Sequence, residues 1–159
     1  MMPLLPFFQW CENTSFVATL REIRWLVPTI EAVHVMGFAL IGGAVLVVNL
    51  RLLGVGLRHQ PVAQVARDAE RWLLISLVVI LPTGSTLFMT EATKCYFYLA
   101  FWVKMTAFFL ALVFTFTVHR RVAMADETSV NPRLSKLVAW VSLSLWSSVG
   151  IAGRLIGFS

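Results

Sequence analysis

Residues 25–50 read WLVPTIEAVHVMGFALIGGAVLVVNL, and this run decides the fold. It exceeds the roughly 20 predominantly apolar residues that a helix needs to cross a bilayer. Its only ionisable side chains are Glu31 and His34. Three more stretches share this character, at 72–89, 97–118 and 134–156. With 58% hydrophobic and 13% charged residues among 159, the chain has more apolar surface than a soluble domain of its length can cover. The expected class is therefore all-α, a polytopic membrane protein folded as one domain over residues 1–159. The links between spans are short, covering 51–71, 90–96 and 119–133. Short links make consecutive helices antiparallel neighbours, which predicts an up-down-up-down bundle of four transmembrane helices.

Outward from the first span, residues 1–24 lack the basic start and small-residue cleavage site of a secretory signal. They read as a short interfacial segment, with Phe7, Phe8 and Trp10 at the headgroups and the first span acting as an uncleaved anchor. Residues 13–24 fit an amphipathic helix capped by Asn13, Thr14 or Ser15, with Phe16, Val17 and Leu20 towards the membrane. Pro82, followed by Thr83 and Gly84, is expected to kink the second span, where Thr83 or Ser85 can satisfy freed carbonyls.

The net charge of +5 needs no nucleic-acid partner, because the basic residues cluster in one set of links. Arg51, Arg58, Arg67, Arg71, Arg120, Arg121, Arg133 and Lys136 fall on one side, against Arg21, Arg24 and Lys94 on the other. The richer side is expected to face the cytoplasm. Both termini then lie outside, in the periplasm if the membrane is a bacterial inner membrane.

Burying a charge at the centre of a membrane helix costs about 2.5–3.5 kcal/mol even on a lenient scale, so such residues commonly face the bundle interior. Glu31, His34, Lys104 and Arg154 are of this kind, and antiparallel topology places them in one layer near the outer face, with Glu91 as a fifth candidate. A step of about 100° per residue groups Glu31, His34, Phe38, Val45 and Asn49 on the first helix. Lys104, Phe108, Ala111, Thr115 and His119 form a matching stripe on the third, and Ser147, Gly150 and Arg154 share a face of the fourth. Glu31 against Lys104 and Arg154 leaves one positive charge when His34 is neutral. Glu91 balances it, or a ligand brings an anionic group.

A histidine in a membrane bundle raises haem b as a cofactor. His59 and His119 lie at the opposite end from His34, among arginines, and read as solvated or headgroup-level residues. With about 30 Å of hydrocarbon between faces, His34 and His119 cannot share one iron. A haem on His34 needs a methionine as second ligand, Met105, Met36 or Met89, with Lys104 and Arg154 on the propionates. A metal ion held by His34 and Glu31 is a second cofactor reading, although the Glu-x-x-His motif of di-metal bundles occurs only once. Cys11 and Cys95 both map to the outer side, where a disulfide is allowed. The bridge and two free buried thiols remain equal alternatives. Gly37, Gly42 and Gly43 suit close helix packing.

Four stretches together resemble a bacterial membrane family, domain-of-unknown-function family 6644. They are Glu31-Ala-Val-His34 with Gly37, Asn49-Leu-Arg-Leu-Leu-Gly54, Phe101-Trp-Val-Lys104, and Ser144-Leu-Trp146 through Gly153-Arg154-Leu-Ile156. The resemblance runs from about Asn13 onward and implies a four-helix inner-membrane protein with no assigned activity. It often carries an acidic residue where this chain has Asn49, so no carboxylate stands there to pair with Arg51.

These readings lead to an accessory or electron-transfer subunit of a membrane complex, or a homo-oligomer, with a polar pocket that holds a cofactor. The alternatives are a structural subunit whose ion pairs lock the bundle, and a carrier for a small anion or metal. Four spans without repeats lack the usual transporter signature, and no nucleophile–base pair or metal triad marks an independent enzyme.

Overall fold

A computed structural model describes residues 4–56, 59–125 and 130–157. The described chain forms α1 (Leu5–Glu12), α2 (Ser15–Glu22), α3 (Leu26–Leu52), α4 (Val62–Thr90), α5 (Ala92–Phe97), α6 (Leu99–Phe114), a π turn (Thr115–His119), α7 (Arg120–Met124) and α8 (Pro132–Gly157). The segment from α6 through the π turn to α7 is one continuous helix, Leu99–Met124. It and α3, α4 and α8 are each long and apolar enough to cross a membrane. The protein is an all-α, multi-pass membrane protein.

The helices run longer than the hydropathy-based spans on one side. α4 begins at Val62 rather than Trp72, and the third span ends at Met124 rather than Val118. Charges such as Arg67, Asp68 and Arg71 mark where the apolar run stops, but they are compatible with helix and do not end it. Val62, Val65, Ala66 and Ala69 are buried in this added length, where α4 meets α7.

α3 packs along α4 and α6 along α8, and contact between α3 and α8 joins the two pairs. Without a hydrophobic drive inside lipid, such pairs depend on close packing. Gly37 shows how close: a Cβ there would lie 2.8 Å from Ile80 Cγ1, so only glycine admits this approach of α3 to α4. The core continues from Ile41, Val45, Val48 and Leu52 on α3 to Leu73, Leu77 and Ile80 on α4, with Trp146 and Val149 from α8. α3 ends where Gly54 turns to φ +76° and the N–H groups of Val55 and Gly56 return to the Leu50 carbonyl. Around Pro82, the hydroxyls of Thr83, Ser85 and Thr86 donate to the carbonyls of Val79, Leu81 and Pro82. α4 carries the proline without ending.

One end of the bundle is capped by α1 and α2. The sequence predicts a single interfacial helix whose Val17 and Leu20 face lipid. Instead two helices form, and Val17 and Leu20 are buried against protein, leaving Phe16 exposed. Thr14 breaks the run: its hydroxyl donates back to Cys11 and Trp10 carbonyls rather than capping α2. Phe8 sits among Phe88, Tyr96 and Trp102 at centroid distances of 5.2, 5.1 and 6.2 Å, while Phe7 and Trp10 stay exposed. Glu12 fixes the cap electrostatically. It accepts the Thr93 N–H at 3.0 Å and Arg21 at 2.8 Å, and Arg21 also donates to the Thr90 carbonyl.

Candidate functional site

Beneath this cap lies a cavity of about 420 Å³ to which all four long helices contribute. α3 supplies Glu31, His34 and Phe38, and α4 supplies Leu81 and Gly84. Lys104, Met105, Phe101 and Phe108 come from α6, and Gly153 comes from α8. Cys95, Glu91 and Lys94 from the α4–α5 region complete the rim. The volume falls in the range of small-molecule sites, which are mostly apolar with a few polar groups that set orientation.

His34 is the most constrained of those groups. Its Nδ1 is 3.0 Å from Thr83 Oγ1, and the Thr83 hydroxyl also lies 2.6 Å from the Val79 carbonyl. With its proton on a backbone carbonyl, that of Val79 or that of Ile80 at 3.2 Å, the Thr83 oxygen accepts and His34 Nδ1–H donates. In its neutral form the ring then carries its lone pair on Nε2. Gly84 sits directly behind the ring, where a Cβ would lie 2.9 Å from Cε1. The Phe38 ring closes another side, edge-on, at 5.5 Å between centroids.

The Lys104 ammonium lies 5.6 Å from the centroid of that Phe38 ring, within range of a cation–π contact. Gly153 leaves open the space on its α8 side, since a Cβ there would come within 3.6 Å of Nζ. Lys104 is half-buried and forms no ion pair among the described residues. Glu31 lines the same cavity from an exposed position and is likewise in no ion pair among them. Glu91 is engaged at the rim with Lys94, at 3.6 Å. Of the charged layer anticipated from the sequence, Glu31, His34, Lys104 and Glu91 are thus gathered around one cavity, and no ion pair joins Glu31 to Lys104 among the described residues.

The remaining candidates divide. Met105 lines the cavity beside Lys104, whereas Met36 is exposed and Met89 packs near Phe8 and Cys11. Arg154 lies on the exposed face of α8 and outside the cavity lining. The face of α8 turned inward is not Ser147, Gly150 and Arg154 but Val138, Ser142, Trp146 and Val149. The polarity of Ser147 and Arg154 suggested an interior face, and packing chose the larger apolar residues. Cys11 and Cys95 are free thiols here, both buried, so no bridge joins them. Burial pushes the Cys95 thiol above its ordinary range, and the Glu91 charge adds to this. No group of three or more His, Cys, Asp or Glu side chains gathers among the described residues. Glu31 and His34 would give a metal two ligands, against the three or four of typical protein sites.

Sequence reasoning missed a second polar cluster at the arginine-rich end. His119, expected to be solvated, is buried, and its Nε2 donates to Asn49 Oδ1 at 3.0 Å. Asn49 Nδ2 donates to Ser142 Oγ at 3.1 Å, and Trp146 Nε1 to Thr115 Oγ1 at 3.1 Å. The arginines after His119 pointed to water. The stripe from Lys104 through Phe108, Ala111 and Thr115 already pointed inward. At α-helical pitch that stripe drifts by about 60° over its length. The π turn at Thr115–His119 takes more residues per turn and keeps His119 on the inner face. Arg51 turns instead to the Gln60 carbonyl, at 2.8 Å, while His59 is exposed. Fifteen residues separate His34 from Asn49 on α3, about 22 Å, so the two histidines serve different ends of the bundle.

A family model matches residues 7–159, under the description of a family of unknown function, DUF6644. No curated protein and no solved structure matches the chain.

Proposed function

Because the chain belongs to this family of unknown function, its role has to come from the cavity itself, and we propose that it is a membrane-embedded binding subunit. It takes up a lipid-soluble small molecule into the cavity near the capped end of the bundle. It acts as an accessory or electron-transfer component of a larger membrane complex. One observation carries this reading: an orientation-fixed His34 and an ammonium without an ion-pair partner among the described residues, Lys104, share one largely apolar cavity. Polar groups arranged this way inside a membrane protein are costly unless a partner meets them. The basic bias of the opposite end supports a cytoplasmic placement there, which puts the cavity and both termini on the periplasmic side of a bacterial inner membrane.

The test is purification in native lipid discs, followed by extraction and mass spectrometry, beside a Lys104→Met, His34→Leu double variant. One amphipathic compound should be enriched over bulk lipid in the wild type and lost from the variant. Equal lipid profiles overturn the reading. Oxidised and reduced absorption spectra of the same samples test the cofactor form, since a Soret band lost with His34→Leu identifies haem on that histidine.

A second reading, a structural subunit, is favoured by the buried His119, Asn49 and Ser142 network, whose members satisfy one another without a ligand. It holds for that end of the bundle. It does not account for Lys104, which has no such partner among the described residues.

A further inference from the structure

The chemistry of the cavity narrows the ligand. Thr83 fixes the His34 tautomer, so the neutral ring presents an acceptor, Nε2, where most recognition of carbonyls and carboxylates uses a donor. Lys104 presents only donors. A head group that satisfies both must give a proton to one and offer an oxygen lone pair to the other. A carboxylate has no proton to give, and neither does a quinone. A phenolic hydroxyl has both: its O–H donates to Nε2 while the same oxygen accepts from the ammonium.

The walls suit a flat ring. Phe38 and Phe108 pack against each other, 6.4 Å between centroids and 48° between planes, and with Phe101 they give the cavity an aromatic wall. Offset or edge contacts with such rings stabilise an aromatic ligand beyond its buried area. The cavity also reaches the outer surface of the bundle at Val35, Leu81 and Met105, which line it yet are 60%, 54% and 47% exposed. On membrane-spanning helices these side chains meet acyl chains, so a hydrocarbon tail can leave sideways into the bilayer.

We infer that the ligand is a hydroquinone bearing an apolar tail, bound with a phenolic hydroxyl between His34 Nε2 and the Lys104 ammonium. This rests on the proposed function and specifies its ligand class. It predicts that the reduced ring binds and the oxidised ring binds poorly, because only the reduced form has a proton for Nε2.

The experiment uses the full chain in lipid discs, under anaerobic conditions, titrated with decyl-benzoquinol, its quinone, and myristate. The quinol is expected to bind about tenfold more tightly than the quinone, the ratio one hydrogen bond supplies. His34→Leu should level the two, and Lys104→Met should weaken the quinol by about tenfold. Thr83→Val keeps the histidine and frees Nδ1, so it should reduce the preference even if His34→Leu fails to fold. Quinone binding equal to quinol binding, or myristate binding more tightly than either, overturns the inference. If a non-phenolic amphiphile co-purifies, this inference fails and the binding role stands. If no compound co-purifies and no probe binds, both fail.

Discussion

His119 Nε2 lies 3.0 Å from Asn49 Oδ1, and both side chains are buried at the arginine-rich end of the bundle. Asn49 passes the interaction on to Ser142 on α8, so one asparagine joins three of the four long helices. Removing it strands a histidine N–H and a serine hydroxyl together. Asn49→Leu should lower stability by about 1–3 kcal/mol, the cost of leaving buried polar groups unmet. Thermal unfolding in detergent would show this, while ligand binding at the opposite end should be unchanged. An Asn49→Leu, His119→Leu pair should cost less than the sum of its singles, since each single has already broken the shared bond.

Glycines around the cavity are not equivalent. A Cβ on Gly84 would sit 2.9 Å from His34 Cε1, and the ring cannot simply retreat without losing its bond to Thr83. A Cβ on Gly153 meets Lys104 at 3.6 Å, an ordinary contact, and Gly42 has open space. Gly84→Ala should therefore weaken ligand binding by at least about tenfold. Gly42→Ala should leave binding and unfolding temperature as they are, and Gly153→Ala should change binding by less than Gly84→Ala does. Equal effects from Gly84 and Gly42 would contradict the close contact behind His34.

Much of this architecture was legible in the sequence because membrane spans are written in composition. The runs containing His34 and Lys104 needed only length and hydropathy, and antiparallel order brought Glu31, His34 and Lys104 to one depth. What stayed hidden depended on which face packs. Arg154 and Ser147 look like interior polar residues, yet Trp146 and Val149 take the buried side of α8 because larger apolar groups fill more of the gap. His119 was misread for the opposite reason: its neighbours Arg120 and Arg121 are charged, but a π turn carries the imidazole inward. No spacing rule announces such a turn. The role of Thr83 was also only half visible, since its hydroxyl bond to the backbone was expected but not its hold on His34.

Acid should loosen the amino-terminal cap. The Glu12 carboxyl is held below its ordinary value of 4.5, first by hydrogen bonds from the Thr93 hydroxyl and amide and then by Arg21. The unfolded chain thus binds this proton more readily than the folded one. The stabilising contribution is complete above pH 4.5 and is lost as pH falls through the lower folded value. Fluorescence from Trp10 and Trp102 should report undocking of α1 in that acid range. Glu12→Gln should remove this pH dependence, leaving the cap weaker than wild type at neutral pH and equal to it in acid.

The same cap shields a thiol whose reactivity can be read directly. Burial holds the Cys95 thiol above its ordinary value of 9.0, and the nearby Glu91 charge raises it further, partly offset by Lys104 and Lys94. Little thiolate is therefore present at neutral pH, and the thiolate is the species that reacts. In a Cys11→Ser background, native protein should be alkylated by iodoacetamide much more slowly than denatured protein, with the native rate rising as pH is taken above 9.0. Because burial is the larger cause, Glu91→Gln should speed the reaction yet leave native protein slower to label than denatured protein. Cys95 also lines the cavity, so saturating ligand should slow labelling further in the wild-type pocket. It should have no effect in the Lys104→Met, His34→Leu variant. Rapid labelling of native protein at neutral pH would show that the cap does not close over this site.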